Sequence, residues 1–381
     1  MKKVLAILLA LAMVLSFAAC KTTTEPAAEV TATPETAATE APAAEATEVP
    51  AAEGTYEIAL VTDVGNIDDQ SFNQSTWEGV KMYAEANGKT YNYYRPTEDS
   101  DAARVEAMKT AVEKGAKVIV CPGYMFGPSI TEAQALYPDV MFLGIDLTPA
   151  DMTPTANTTI CSYQEEIAGY CAGYAVVMEG YTKLGFCGGM AVPAVIRYGY
   201  GFVQGANAAA VELGKTADVS VKLWYAQAFW PTDEIKIKMD GWYSDGTEVV
   251  FACGGGLFSS VVAAADEANP KGWVIGVDVD QSYISDRFIT SAYKELPNTT
   301  AGYLTKLYDN GGTWPADLAG QHTTLGAATQ SVGIPTDGWL FTNFTVDQYT
   351  ALFAKILDGS LVISGDTEVA PTVEIAVEYL S

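Results

Sequence analysis

Between residues 55 and 79 the chain reads TYEIALVTDVGNIDDQSFNQSTWEG, and its most chemically suggestive side chains are gathered there. Asp63, Asp68 and Asp69 supply carboxylates, Asn73 an amide and Phe72 a flat ring, with no basic residue among them. Ionised carboxylates only accept hydrogen bonds. The set suits a neutral ligand offering hydroxyl and N–H donors beside an aromatic face, and it suits a phosphate poorly. It is a signature of binding before catalysis. The same residues have plainer uses: Asp68, Asp69 and Ser71 are helix-capping types, and Phe72 could pack into a core from the first turn of a helix.

The elements that must position these groups are legible around them. Ile58–Thr62 is an apolar run that predicts a buried strand, and an amphipathic helix runs from Phe72 to Asn87. A strand–loop–helix unit delivers its loop to the carboxyl edge of a parallel sheet, where open α/β folds take their ligands. Strand and helix patterns then alternate through Val140–Ile145, and a second unit starts with a helix over Glu165–Met178. Leu184–Cys187, a helix from about Tyr198 to Leu213, Val249–Ala252, the Gly254-Gly255-Gly256 turn and Val274–Val277 repeat the scheme. Strands at Thr290–Tyr293 and Gly326–Val332 follow, with helices over Thr299–Asp309 and Val346–Asp358. Two similar halves, each with its informative residues on loops after strands, imply two lobes facing across a cleft, joined where the late chain recrosses.

Residues 1–19 predict an export signal, with Lys2 and Lys3 ahead of the apolar Val4–Phe17 and then Ala18-Ala19 before Cys20. A cysteine there resembles a bacterial lipobox, which implies acylation at Cys20 and an extracytoplasmic, membrane-anchored protein. Residues 20–54 are almost wholly Ala, Thr, Glu, Pro and Val, a composition too polar to order itself. Such a tether reaches ~30 Å on average. A ligand-binding domain is expected over 55–381, with one lobe at about 55–159 plus 285–322 and the other at about 160–284 plus 323–381.

The chain carries net −26; without Lys2, Lys3 and the tether's one Lys and seven Glu, about −22 remains on the folded part. That charge argues against nucleic-acid partners and leaves neutral nucleosides and sugars open. A single histidine, His322, argues against His-dependent triads and multi-His zinc sites. Cys121, Cys161, Cys171, Cys187 and Cys253 lie mostly in apolar runs without C-x-x-C spacing and read as buried thiols.

Several ordered blocks point to one family: VTDVGNIDDQSFNQSTWEG, EEIAGYCAGYAVVM, LGFCGGMAVPAVIRYGYGFVQGA, VVFACGGGLFSSVVAAADEA and VIGVDVDQ followed by ITSAYK. Together they resemble the basic membrane protein family of substrate-binding lipoproteins, which includes purine nucleoside receptors of ABC transporters. The resemblance implies an α/β type I periplasmic-binding-protein fold, two Rossmann-like lobes closing on a ligand, with ABC permease and ATPase subunits as partners and no cofactor. Carried onto this sequence, it implies that Phe72 and Tyr198 sandwich a base, with Asn73 beside it, and that Asp63 accepts base N–H bonds. Asp278 would hold ribose hydroxyls with Lys294 alongside, and Gly254 and Gly255 would let backbone approach the sugar. Other readings share the pocket: a sugar-binding protein, or a tethered sensor or adhesin without transport. An enzyme is a third class, since Asp63 with Asp68-Asp69 superficially resembles the calcium cluster of nucleoside hydrolases. That cluster needs a further Asp where this chain has Val61.

Overall fold

The computed structural model describes residues 54–63 and 65–381; the export signal, Cys20 and most of the tether lie outside them. The first lobe runs β1 (Ile58–Val61), α1 (Phe72–Ala86), β2 (Tyr91–Tyr94), α2 (Asp101–Glu113), β3 (Val118–Pro122), α3 (Phe126–Leu136), β4 (Met141–Ile145) and β5 (Thr158–Tyr163). The second opens with α4 (Glu165–Glu179) and continues β6 (Lys183–Gly188), α5 (Pro193–Leu213), β7 (Ser220–Tyr225), α6 (Asp233–Ser244), β8 (Val249–Cys253), α7 (Phe258–Glu267), β9 (Trp273–Asp278) and β10 (Phe288–Lys294). The chain then returns for α8 (Leu296–Asp309) and β11 (His322–Leu325) before β12 (Val332–Gly333), α9 (Val346–Leu357) and β13 (Ala376–Leu380).

Two sheets result, ordered β11-β5-β4-β3-β1-β2 and β12-β10-β9-β8-β6-β7-β13. Five strands of each follow one scheme, so β1 to β5 correspond to β6 to β10. In both, the strand order reverses about the first strand, which opens a crevice at the carboxyl ends of the strands. Alternation along β1 builds the layers: Ile58 and Leu60 belong to the core shared with α1, and Ala59 and Val61 to the core shared with α2 and α3.

The helices α4 and α5 meet at backbone contact. A Cβ on Gly169 would strike the Tyr198 carbonyl, one on Gly173 that of Phe202, and one on Gly205 that of Tyr170. This close approach fixes the start of α4 against Arg197 and Tyr198 of α5.

The expected lobe edges shift. β5 reaches Tyr163 in the first sheet, and β10 pairs in parallel with β9, so 288–294 belong to the second lobe rather than the first. β11 pairs with β5, so Leu325 still lies in the first lobe. The three crossings therefore sit at Gln164, Glu295 and just past Leu325. Of the strand expected over Gly326–Val332, only Val332 is in one, at the start of the short β12; a 3-10 turn at Ala327–Thr329 takes the place of the rest.

Candidate functional site

A cavity of about 580 Å³ lies between the carboxyl ends of the two sheets and is lined from both lobes. Asp63, Phe72, Asn73, Tyr198, Gly254, Gly255, Asp278 and Lys294 all border it. The sheet orders give it an axis. Along the first lobe, successive strand ends carry Asp146 after β4, Gly123 after β3, Asp63 after β1 and Arg95 after β2. The second lobe contributes Lys294 on β10, Asp278 on β9, Gly254 after β8 and Phe229 after β7, with Lys294 meeting Asp146.

The loop between β1 and α1 is braced from within. Asp69 accepts from the backbone N–H groups of Ser71, Asn73 and Gln74 at 2.9, 3.0 and 3.1 Å, capping α1. The Asn73 amide donates to Asp63 Oδ1 at 2.9 Å and to Asp69 Oδ2 at 3.0 Å, while its oxygen takes the Asp63 N–H at 3.3 Å. Both Asn73 donors are thus spent inside the loop, which makes it a positioning residue at the cavity wall. Asp63 Oδ1 also accepts the Gly65 N–H at 2.6 Å, and its Oδ2 lies toward Gly123. Burial raises the Asp63 carboxyl to about 6 against these bonds. Asp68 is exposed, and among the described residues no cluster of three His, Cys, Asp or Glu could hold a metal ion.

Lys294 is the electrostatic centre of the other end. Its Nζ lies 2.6 Å from Asp146 and 3.1 Å from Glu165, while Arg197 Nε reaches Glu165 at 2.5 Å. The same ammonium stands 5.1 Å from the Phe72 ring centroid, 5.2 Å from Tyr163 and 5.6 Å from Tyr198. Burial opposes its charge, yet Asp146, Glu165 and Asp278 together hold its pKa above the usual value. Its direct carboxylate partners are therefore Asp146 and Glu165; Asp278 feels it only through the field. Asp278 is pushed up to about 6 by burial, with Lys294 and the Ser71 hydroxyl pulling the other way.

Gly254 and Gly255 line the cavity with φ of +152° and +49°, but their missing side chains admit another part of the protein. A Cβ on Gly254 would come within 2.9 Å of the Phe229 ring, and one on Gly255 within 2.6 Å of the Phe229 carbonyl. They make room for the loop after β7, which carries Phe229 and Trp230 into the cavity wall.

Asp146 escaped the sequence reading. It is the counterpart of Asp278: each stands at the carboxyl end of the fourth strand of its lobe, and both take left-handed backbone, with φ of +61° and +67°. Asp146 Oδ1 is buried and has no hydrogen-bond partner among the described residues. The repeat is visible in the letters, Leu143-Gly144-Ile145-Asp146 against Ile275-Gly276-Val277-Asp278. Beside the expected Lys294, two further cations line the cavity, Arg95 and Arg197.

A family model described as Bmp, ABC transporter substrate-binding protein PnrA-like, matches residues 57–366. The chain belongs to this family. An ABC transporter nucleoside-binding protein BmpA from Lactococcus lactis is 30% identical over 237 residues, covering 59% of this chain and 64% of that protein. A CD4+ T-cell-stimulating antigen from Listeria monocytogenes is 31% identical over 237 residues, covering 59% of this chain and 63% of that protein. These alignments thus span less than two thirds of either relative. Among solved structures, an ABC transporter solute-binding protein from Aeropyrum pernix superposes with a TM-score of 0.71 at 18% identity, covering 82% of this chain and 94% of that one. One from Conexibacter woesei gives 0.63 at 20% identity, covering 82% and 99%. At such identities the likeness concerns the fold, the two-lobed type I periplasmic-binding-protein fold. In this family setting, the cleft between the lobes is the place to look for the solute.

Proposed function

We propose that the protein is the membrane-anchored, solute-capturing subunit of an ABC importer, and that its solute is a purine nucleoside. One arrangement carries the reading. Two rings on opposite lobes, Phe72 and Tyr198, border a single cavity between the Asp63 carboxylate and the Asp146–Lys294–Asp278 group. A flat base fits between rings, where each stacked face contributes about 1–3 kcal/mol. Carboxylates at one end accept base N–H groups, and those at the other accept vicinal hydroxyls. The relative from Lactococcus lactis is named a nucleoside-binding protein, which agrees with this chemistry.

Anchoring rests on the Ala-Ala-Cys sequence ending at Cys20. Partition into detergent extracts, lost in a Cys20→Ala variant, is the expected outcome. The solute itself is tested by denaturing protein purified from its host and identifying the released molecule by mass spectrometry. A purine nucleoside is expected; a sugar would replace the reading.

A further inference from the structure

Of the three cations that line the cavity, two are already committed. Arg197 and Lys294 are held in ion pairs with Glu165 and Asp146, at the sugar end of the proposed site. Arg95 is different. It is exposed at the opposite end, and among the described residues no carboxylate pairs with it.

Strand register places it. β1 and β2 pair in parallel with Val61 opposite Tyr94, and the Thr62 N–H continues the ladder to the Tyr94 carbonyl at 3.0 Å. Asp63 and Arg95 therefore follow the ends of strands that run ~5 Å apart, one residue out of register because Arg95 stands opposite Thr62, with Arg95 the further from the sugar end. Asp63 offers an acceptor in its ionised form, since its Oδ2 is not among the atoms spent on Gly65 and Asn73. Arg95 offers donors only.

We infer, on the nucleoside reading above, that Asp63 and Arg95 together select purines carrying a carbonyl at C6 over adenine. In a purine nucleoside the exocyclic group at C6 is the base atom furthest from the sugar, and N1 lies beside it. Hypoxanthine and guanine present N1–H to the carboxylate and the C6 carbonyl to the guanidinium. Adenine in the same pose sets its N1 lone pair against the carboxylate and its amine against the cation. A mismatched base leaves the partly buried Asp63 carboxylate facing a lone pair instead of a donor, and that unpaired acceptor is what discriminates.

The test is titration calorimetry of the full protein and an Arg95→Ala variant with inosine, guanosine and adenosine. Wild-type protein should bind inosine and guanosine at least tenfold more tightly than adenosine. Arg95→Ala should weaken both at least fivefold and leave adenosine within twofold, which a general loss of structure would not do. Equal wild-type affinities for the three, or a preference that survives Arg95→Ala, would overturn the selection while leaving nucleoside capture intact. Failure of all three to bind would remove both together.

Discussion

The Ser71 hydroxyl donates to Asp278 Oδ2 at 2.6 Å, joining the start of α1 in one lobe to the end of β9 in the other. Both residues are buried, and the neighbouring Gln281 amide donates to the Gln70 carbonyl at 3.0 Å in the same seam. The carboxylate proposed to meet the sugar is thus also a contact that holds the lobes together. On the proposed reading, one residue would serve both solute recognition and closure.

Losing that contact should loosen closure without unfolding either lobe. A hydrogen bond to a charged group contributes about 1.5–3 kcal/mol. Ser71→Ala is expected to weaken solute affinity roughly tenfold and to enlarge the ligand-free protein in small-angle X-ray scattering. Unchanged scattering and affinity would show that Ser71 has no part in closure.

The two ring residues should respond differently to truncation. Phe72 is half-buried at the cavity wall, so Phe72→Ala is expected to cost about 1–3 kcal/mol of binding with little loss of stability. Tyr198 is only 2% exposed, packs edge-on to Phe251, and donates to the Ala292 carbonyl at 3.3 Å. Tyr198→Ala should therefore lower stability by about 3–5 kcal/mol, readable as a fall in denaturation midpoint. Tyr198→Phe is the variant that isolates the ring, and it should keep most of the affinity.

Acid should weaken binding. Asp63 and Asp278 both rise to about 6, with burial the largest cause. In the ligand-free protein, these two groups hold protons more tightly than the unfolded chain does. Their contribution to stability therefore falls as pH rises from the unfolded carboxylate range through about 6. Solute donors need the ionised form, so affinity runs in the opposite sense and should drop as pH is lowered through about 6. Calorimetry across that window should show the drop, and Asp63→Asn should flatten part of it.

Lys294 neutralises a buried group of carboxylates and cannot be removed quietly. Lys294→Met leaves Asp146 and Glu165 without their shared cation, and breaking a buried pair in this way costs about 3–5 kcal/mol. A large fall in the denaturation midpoint is expected, with partial recovery when Asp146→Asn is added. No fall would mean that water reaches the group and screens it.

Much of the cleft could be read from local pattern. The strand before Asp63, the strand before Asp278 and the loops after them follow from short apolar runs and turn residues. What escaped depends on contacts distant in sequence. Asp146 gains meaning only beside Lys294, nearly 150 residues away, and β5 looks unremarkable until it pairs with β4 and β11. Gly254 and Gly255 were legible as special backbone, but their neighbour Phe229 comes from another loop. The crossings moved because β10 finds its partner in β9 through sheet pairing, which residue pattern alone does not encode.

The most direct test of nucleoside capture is calorimetry of the wild-type protein with inosine, 2′-deoxyinosine, hypoxanthine and ribose. Tight binding of inosine, weaker binding of 2′-deoxyinosine, and weak binding of base or ribose alone are predicted, because the rings and the Asp278 carboxylate act on one molecule. Tight binding of ribose with no response to inosine would contradict it.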